Sequence, residues 1–141
     1  MIRKFKTEDI EDILSIWLES SVKAHDFIDA SFWKSQIKNM RDIYIPASES
    51  YVYEHNSKVV GFYSLCESNL AAIFIMPKFQ GRGFGKKLLT HAKSQRSQLS
   101  LNVYTENKAS CRFYRSQGFH VINQQTDNQT GHPEYTMSTS P

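Results

Sequence analysis

The segment that most restricts the fold is LAAIFIMPKFQGRGFGKKLL, residues 70–89. Leu70 to Met76 is an apolar run of strand length, ended by Pro77, which has no N–H to give to a sheet ladder. Glycines follow at 81, 83 and 85, and beyond them Phe84, Leu88 and Ala92 recur at helical spacing. A strand that enters a helix through such a turn predicts a parallel crossover, and hence an α/β architecture. Glycines let the backbone approach an anion closely, and the free N–H groups at the start of the helix stabilise phosphate oxygens. Arg82, Lys86 and Lys87 place positive charge at the same spot, so the turn reads as a phosphate cradle.

The flanking sequence supplies the remaining elements. Met1 to Lys6 reads as a short strand, and Thr7 offers a hydroxyl cap to a helix whose Ile10, Ile13, Leu14, Trp17 and Leu18 share one apolar face. Trp33, Ile37, Met40 and Tyr44 predict a second helix, ended before Pro46. Two antiparallel strands joined at Asn56-Ser57 are expected between Ser50 and Cys66. After the glycine-led helix come a strand at Leu99–Tyr104, a helix capped by Asn107 and ended at Gly118, and strands at Phe119–Gln124 and Glu134–Ser138. The expected fold is a mixed, mostly antiparallel central sheet with about four helices on its two faces. A chain of 141 residues suits a single domain, residues 1–141, and no repeat or linker divides it.

Charge and cysteine content narrow the function classes. A formal net charge of +3, from 17 basic and 14 acidic side chains without a like-charged block, does not give the basic face that a nucleic-acid binder needs. Cys66 and Cys111 stand far apart without metal-ligand spacing, so no metal is expected and the thiols are read as reduced. Acidic residues interrupt the N-terminal stretch and no apolar run has membrane-spanning length, which predicts a cytoplasmic protein without a membrane partner.

Glycine turns are shared among phosphate-binding proteins. No segment reads GxxxxGK[ST], which a P-loop requires. A dinucleotide fingerprint needs glycine at position 86, where Lys86 stands, although Glu106 after the next strand imitates the ribose-binding acid of that motif. On the residues alone, the dinucleotide reading stays open as a rival.

Gln80, Gly83 and Gly85 match [QR]-x-x-G-x-[GA] directly after a strand, and NKASCRFYRSQGF places Tyr114 seven residues after a helix-opening Asn107. Both motifs, in this order, resemble those of the GCN5-related N-acetyltransferase superfamily, and the chain is similar to its bacterial protein-acetylating members over essentially its whole length. The resemblance implies an acetyl-CoA-dependent N-acetyltransferase that transfers an acetyl group to a primary amine by direct attack in a ternary complex. It implies that Gln80, Gly81, Arg82, Gly83, Phe84, Gly85 and Lys86 hold the diphosphate, that Phe74 and Ile75 pair with the pantetheine arm through backbone groups, and that Asn107 bonds the arm. Tyr114 would protonate the leaving thiolate.

Relatives that carry a base five residues before this Asn have Glu there, and here the position is Asn102, an amide that takes no proton. Glu67, His25 and water remain as bases. The loop holding His25 and Phe27, with Trp33 beyond it, would form one side of the acceptor pocket. The acceptor is an amine-bearing protein or a small molecule, and the protein a monomer or homodimer. A module that binds acyl-CoA or a nucleotide without turnover is the alternative.

Overall fold

The computed structural model describes residues 1–140. Its sheet has seven strands in the order β1-β2-β3-β4-β5-β7-β6: β1 (Ile2–Lys4), β2 (Glu49–His55), β3 (Lys58–Cys66), β4 (Asn69–Ile75), β5 (Ser100–Tyr104), β6 (His120–Thr126) and β7 (Pro133–Ser138). Among the described residues only β4 and β5 pair in parallel, and helices cover both faces of the mostly antiparallel sheet, as the sequence predicts.

Helix α1 (Ile10–Ala24) buries Ile13, Leu14, Ile16 and Trp17 against one face of the sheet. Its entry differs from expectation. Thr7 opens a short 3-10 turn, Thr7–Asp9, and no side chain caps α1 among the described residues; Asp9 instead closes the turn, its carboxylate accepting from the Lys6 N–H at 2.8 Å and from both terminal nitrogens of Arg3 at 2.8 and 2.9 Å. A carboxylate wins there because it answers the backbone and the guanidinium together.

The second helix is broken into α2 (Ala30–Ser35), α3 (Ile37–Asn39) and a π-helical turn, Met40–Tyr44. The Ile45 N–H reaches the Met40 carbonyl at 3.0 Å, and this wider turn lets Met40 and Ile45, five positions apart, both enter the core. Apolar spacing predicted helix here but carried no signal for the change of pitch.

On the opposite face, α4 (Phe84–Gln95) packs Leu88, Leu89 and Ala92 against β3, β4 and β5. The approach is close at Gly61, where an added Cβ would lie 2.4 Å from Ile75 Cδ1 and 3.3 Å from Leu88 Cδ1. Helix α5 (Lys108–Ser116) follows β5 and ends as predicted, with Gly118 at φ +93° and the Phe119 N–H on the Tyr114 carbonyl at 3.0 Å.

One departure from regular pairing creates the site. Strands β4 and β5 pair only at Asn69↔Ser100, with the Ser100 N–H on the Ser68 carbonyl at 3.0 Å, and then diverge. Beyond that point the edge of β4 that faces β5 has no strand partner.

Candidate active site

The divergence opens a cleft of about 930 Å³ between β4 and β5, floored by α5 and bounded by α1 and the glycine turn. Which β4 groups it exposes follows from the ladder on the other side. The Met76 N–H donates to the Val60 carbonyl at 2.8 Å, and Phe74 stands opposite Phe62 in the same register. Because hydrogen-bonding direction alternates along a strand, the N–H and C=O of Phe74 belong to the β3 ladder while those of Ile73 and Ile75 face the cleft. The expected backbone pair Phe74 and Ile75 is therefore corrected to Ile73 and Ile75. An apolar run such as 70–76 has no polar alternation to reveal this parity.

The glycine turn sits at the far end of β4. Gly81 (φ +79°) and Gly83 (φ +83°) have the left-handed backbone that favours glycine, and a Cβ at either would meet no atom within 4 Å. Gly83 caps α4, so the open space lies over the first N–H groups of that helix. Gln80 and Lys86 line the cleft, and the Gln80 amide ties the turn to β4 by donating to the Ile75 carbonyl at 3.0 Å. Ser20 on α1 donates to the same carbonyl at 3.0 Å.

Two residues of the turn take other places than expected. Phe84 sends its ring into the core, stacked on Tyr53 at 4.7 Å, so only its backbone belongs to the cradle. The Arg82 guanidinium lies over the Phe79 ring at 5.1 Å and is not part of the cleft wall.

Helix α5 brings in Asn107 and Tyr114. The Asn107 carbonyl oxygen caps the helix by accepting from the Ser110 N–H at 3.3 Å, and its Nδ2 lies 3.3 Å from His25 Nε2. The Tyr114 ring packs against Phe113 and Phe119 at 5.6 and 5.8 Å. Burial pushes its phenol above the ordinary tyrosine range, with a smaller push from the Cys111 thiol, so the hydroxyl keeps its proton through neutral and mildly alkaline pH.

The α1 side of the cleft is aromatic. His25 stacks on Trp33 at 5.1 Å and meets Phe27 and Tyr104 edge-on at 5.8 and 5.2 Å. His25 and Trp33 line the cleft directly, whereas Phe27 stands behind them and packs against His132 at 5.1 Å. Burial lowers the His25 pKa to about 4, and the Ser21 carbonyl pulls weakly the other way without completing a hydrogen bond to Nδ1. The ring is neutral at pH 7. Ser21 Oγ, His25 Nδ1 and Trp33 Nε1 are buried without a hydrogen-bond partner among the described residues, so this wall keeps unused polar capacity.

Glu67 does not reach the site. It lies in the β3–β4 turn (φ +56°), below the Asn69↔Ser100 pair that closes the cleft, with its carbonyl accepting from Arg96 Nε at 2.8 Å. With the bulge at Ala71, about three strand positions, about 10 Å, separate Asn69 from Ile73 at the open part of β4. The structure brings Glu106, Glu134, Asn102 and Tyr104 to the cleft; the sequence marked Asn102 only as a position without a base and Glu106 only as an imitation of a ribose-binding acid, and did not mark Glu134 or Tyr104. Only the strand pairing of β5 with β7 could have found Glu134. Among the described residues no three His, Cys, Asp or Glu side chains gather as a metal site, and no helix is long and apolar enough to cross a membrane.

Comparisons with known proteins agree with this geometry. Residues 46–121 match a family model described as an acetyltransferase (GNAT) domain. Peptidyl-lysine N-acetyltransferase YiaC of Escherichia coli (strain K12) is 37% identical over 139 residues, covering 98% of this chain and 95% of its own. The solution structure of apo-form YjaB from Escherichia coli superposes with a TM-score of 0.86 at 28% identity, over 99% of this chain and 96% of that one. The PaiA N-acetyltransferase of Thermoplasma acidophilum, solved in complex with coenzyme A, shares the fold with a TM-score of 0.85 at 20% identity, over 100% and 98% of the two chains.

Proposed function

The chain belongs to the acetyltransferase (GNAT) family and is an acetyl-CoA-dependent N-acetyltransferase, and from that premise we propose that its acceptor is the side-chain amine of lysine in a protein or peptide, attacked directly within a ternary complex. Residues 1–141 act as one catalytic domain in the cytoplasm. The observation that carries the reading is the parting of β4 from β5 after a single pair, with the phosphate cradle at one end and an aromatic wall across the gap. Lysine as acceptor is supported by the 37% identity to a peptidyl-lysine N-acetyltransferase. It is supported also by the wall itself, since His25, Trp33 and Tyr104 suit the four-methylene stem of a lysine better than a compact polar amine.

The residues present fit acetyl-CoA. The space over Gly81 and Gly83 takes the diphosphate, with Gln80 and Lys86 beside it and the N-terminal amides of α4 pointing into it. The edge of β4 without a strand partner, with the Ile73 backbone groups and the Ile75 N–H, takes the amide-bearing arm as an added strand, and the amide of Asn107 faces it from α5. Bound there, acetyl-CoA supplies a thioester whose carbonyl carbon accepts the amine.

The chain contributes three things to the transfer. The Ile73 N–H donates to the carbonyl oxygen as negative charge grows on it. The Tyr114 hydroxyl, kept protonated by burial, gives its proton to the departing sulfur. The walls of α1 and α5 exclude water that would compete with the amine.

Mass spectrometry of a lysine-containing peptide panel incubated with acetyl-CoA tests the acceptor class, with N-terminal-only peptides and small amines alongside. Internal acetyl-lysine is the expected product. Acetylation confined to N-termini or small amines would refute lysine as the acceptor.

A further inference from the structure

We propose that Glu134 is the general base that takes the proton from the attacking amine. The proposal begins with register. Beyond the Asn69↔Ser100 pair, Ile73 on β4 and Tyr104 on β5 line the cleft from opposite sides, and Tyr104 pairs across β5 and β7 with Glu134, which lines it too. The side chains of Asn102 and Tyr104 lie on one face of β5, since Leu101 and Val103 between them enter the core under α4, and their partners Thr136 and Glu134 share that face. Glu134 therefore lines the same cleft as the N–H that receives the carbonyl oxygen. It stands across the gap, with room for an amine between.

Its surroundings suit the role. Glu134 is half-buried in the cleft wall and bears no salt bridge among the described residues. Oε1 accepts from Gln125 Nε2 at 3.3 Å, and the same nitrogen donates to Thr136 Oγ1 at 2.9 Å, which donates to Asn102 Oδ1 at 2.8 Å. This chain orients the carboxyl group while Oε2 stays free of hydrogen bonds among the described residues. The other acids nearby are occupied. Glu106 pairs with His132 Nδ1 at 2.8 Å, and Asp127 accepts from Tyr104 and Thr130.

The ionisable groups facing Glu134 are thus Tyr104 from β5, Asp127 from the β6–β7 turn and the His132–Glu106 pair at the head of β7. Burial raises the Glu134 pKa, Gln125 opposes it, and Asp127 adds a further upward push, which makes the carboxylate a stronger base than an exposed one. His25, pushed down to about 4, is a poor proton acceptor by comparison.

The step balances as follows. The bound ammonium loses one proton to Glu134, which later releases it to solvent. The neutral nitrogen forms the new C–N bond as the C–S bond breaks. Sulfur takes the proton of Tyr114, and the remaining excess proton on nitrogen restores that phenol through solvent. At pH 7.5 about one free lysine in a thousand is neutral, which is why a base matters near neutrality.

The proposal rests on N-acetyl transfer but not on lysine as the acceptor, so Glu134→Gln is compared with the unaltered protein on whichever amine the latter acetylates. A lysine-free result would overturn the acceptor and leave this test standing. The expected result is a fall in kcat of about 10²–10³-fold at pH 7, unchanged acetyl-CoA affinity, and a gap that narrows as pH approaches 10. Should the glutamine variant fold poorly, Glu134→Ala is tested with added formate, which should restore turnover. An unchanged kcat and pH profile, a higher KM with kcat intact, or no formate rescue would overturn the assignment.

Discussion

Replacing Tyr114 by Phe separates chemistry from packing more cleanly than any other change in the cleft. The ring contacts with Phe113 and Phe119 survive, and the hydroxyl gives up no hydrogen bond among the described residues. The fold should therefore change by less than about 0.5 kcal/mol, the scale of a neutral substitution. A positioned acid contributes about 10²–10⁴ in rate, equivalent to about 2.7–5.4 kcal/mol of barrier. The thermal midpoint and acetyl-CoA affinity should stay essentially unaltered while kcat falls by at least about 100-fold. Thiol release gives the rate and calorimetry the affinity. Because burial raises the phenol pKa, the deficit should persist to pH 9 rather than vanish where an exposed tyrosine begins to ionise. A Phe variant within twofold of the unaltered kcat from pH 7 to 9 would reduce Tyr114 to a packing residue.

Gly83→Ala and Gly131→Ala form a matched pair, because both glycines have positive φ and open space where a Cβ would stand. Each substitution should cost about 1–2 kcal/mol of backbone strain, but only the change at Gly83 should weaken CoA binding, by about tenfold or more. Equal CoA affinity in the two variants, by calorimetry, would remove the turn from the site. The His25 pKa is about 4 in the fold against 6.5 for the free side chain, so the unfolded chain binds the extra proton between those values. The neutral ring's contribution is full above pH 6.5 and is lost as pH falls to about 4, up to about 3 kcal/mol at 1.36 kcal/mol per unit. Urea unfolding at pH 7, 5 and 4 should show a steeper acid loss for the unaltered protein than for His25→Gln, and parallel curves would refute it.

The parts of the fold legible in the sequence are those set by local chemistry. Asn107 announces its helix because its amide caps the backbone three residues on, and Gly118 announces the end because the turn needs positive φ. Gly81 and Gly83 mark the cradle for the same local reason. What the sequence hid depends on partners distant along the chain. The parity of β4 is decided by the Val60 carbonyl, the closed end of the cleft by a single pair at Ser100, and the position of Glu134 by β7 folding back beside β5. Glu67 was a plausible base from composition and order alone, and failed because strand direction put it at the wrong end of β4.

The cost of the cleft explains its partial repair. Two strands that part after one pair leave backbone groups without ladder partners, and a buried group left so costs about 1–3 kcal/mol. At Ile75 the carbonyl is satisfied twice, by Ser20 from α1 and Gln80 from the turn, which also fixes the glycine cradle to the end of the strand. Among the described residues no side chain hydrogen-bonds the Ile73 backbone in the way that Ser20 and Gln80 bond Ile75. The unrepaired position lies two residues closer to where the strands meet, in the cleft that Tyr104 and Glu134 also line. An N–H kept free there favours whatever brings a carbonyl oxygen to it, and more strongly as the oxygen gains charge. The same divergence that weakens the sheet thus places the donor, and the β5–β7 pairing puts a carboxylate opposite it. Binding and proton removal are in this way set by two different strand registers, which a substitution on β7 should uncouple without disturbing the cradle on β4.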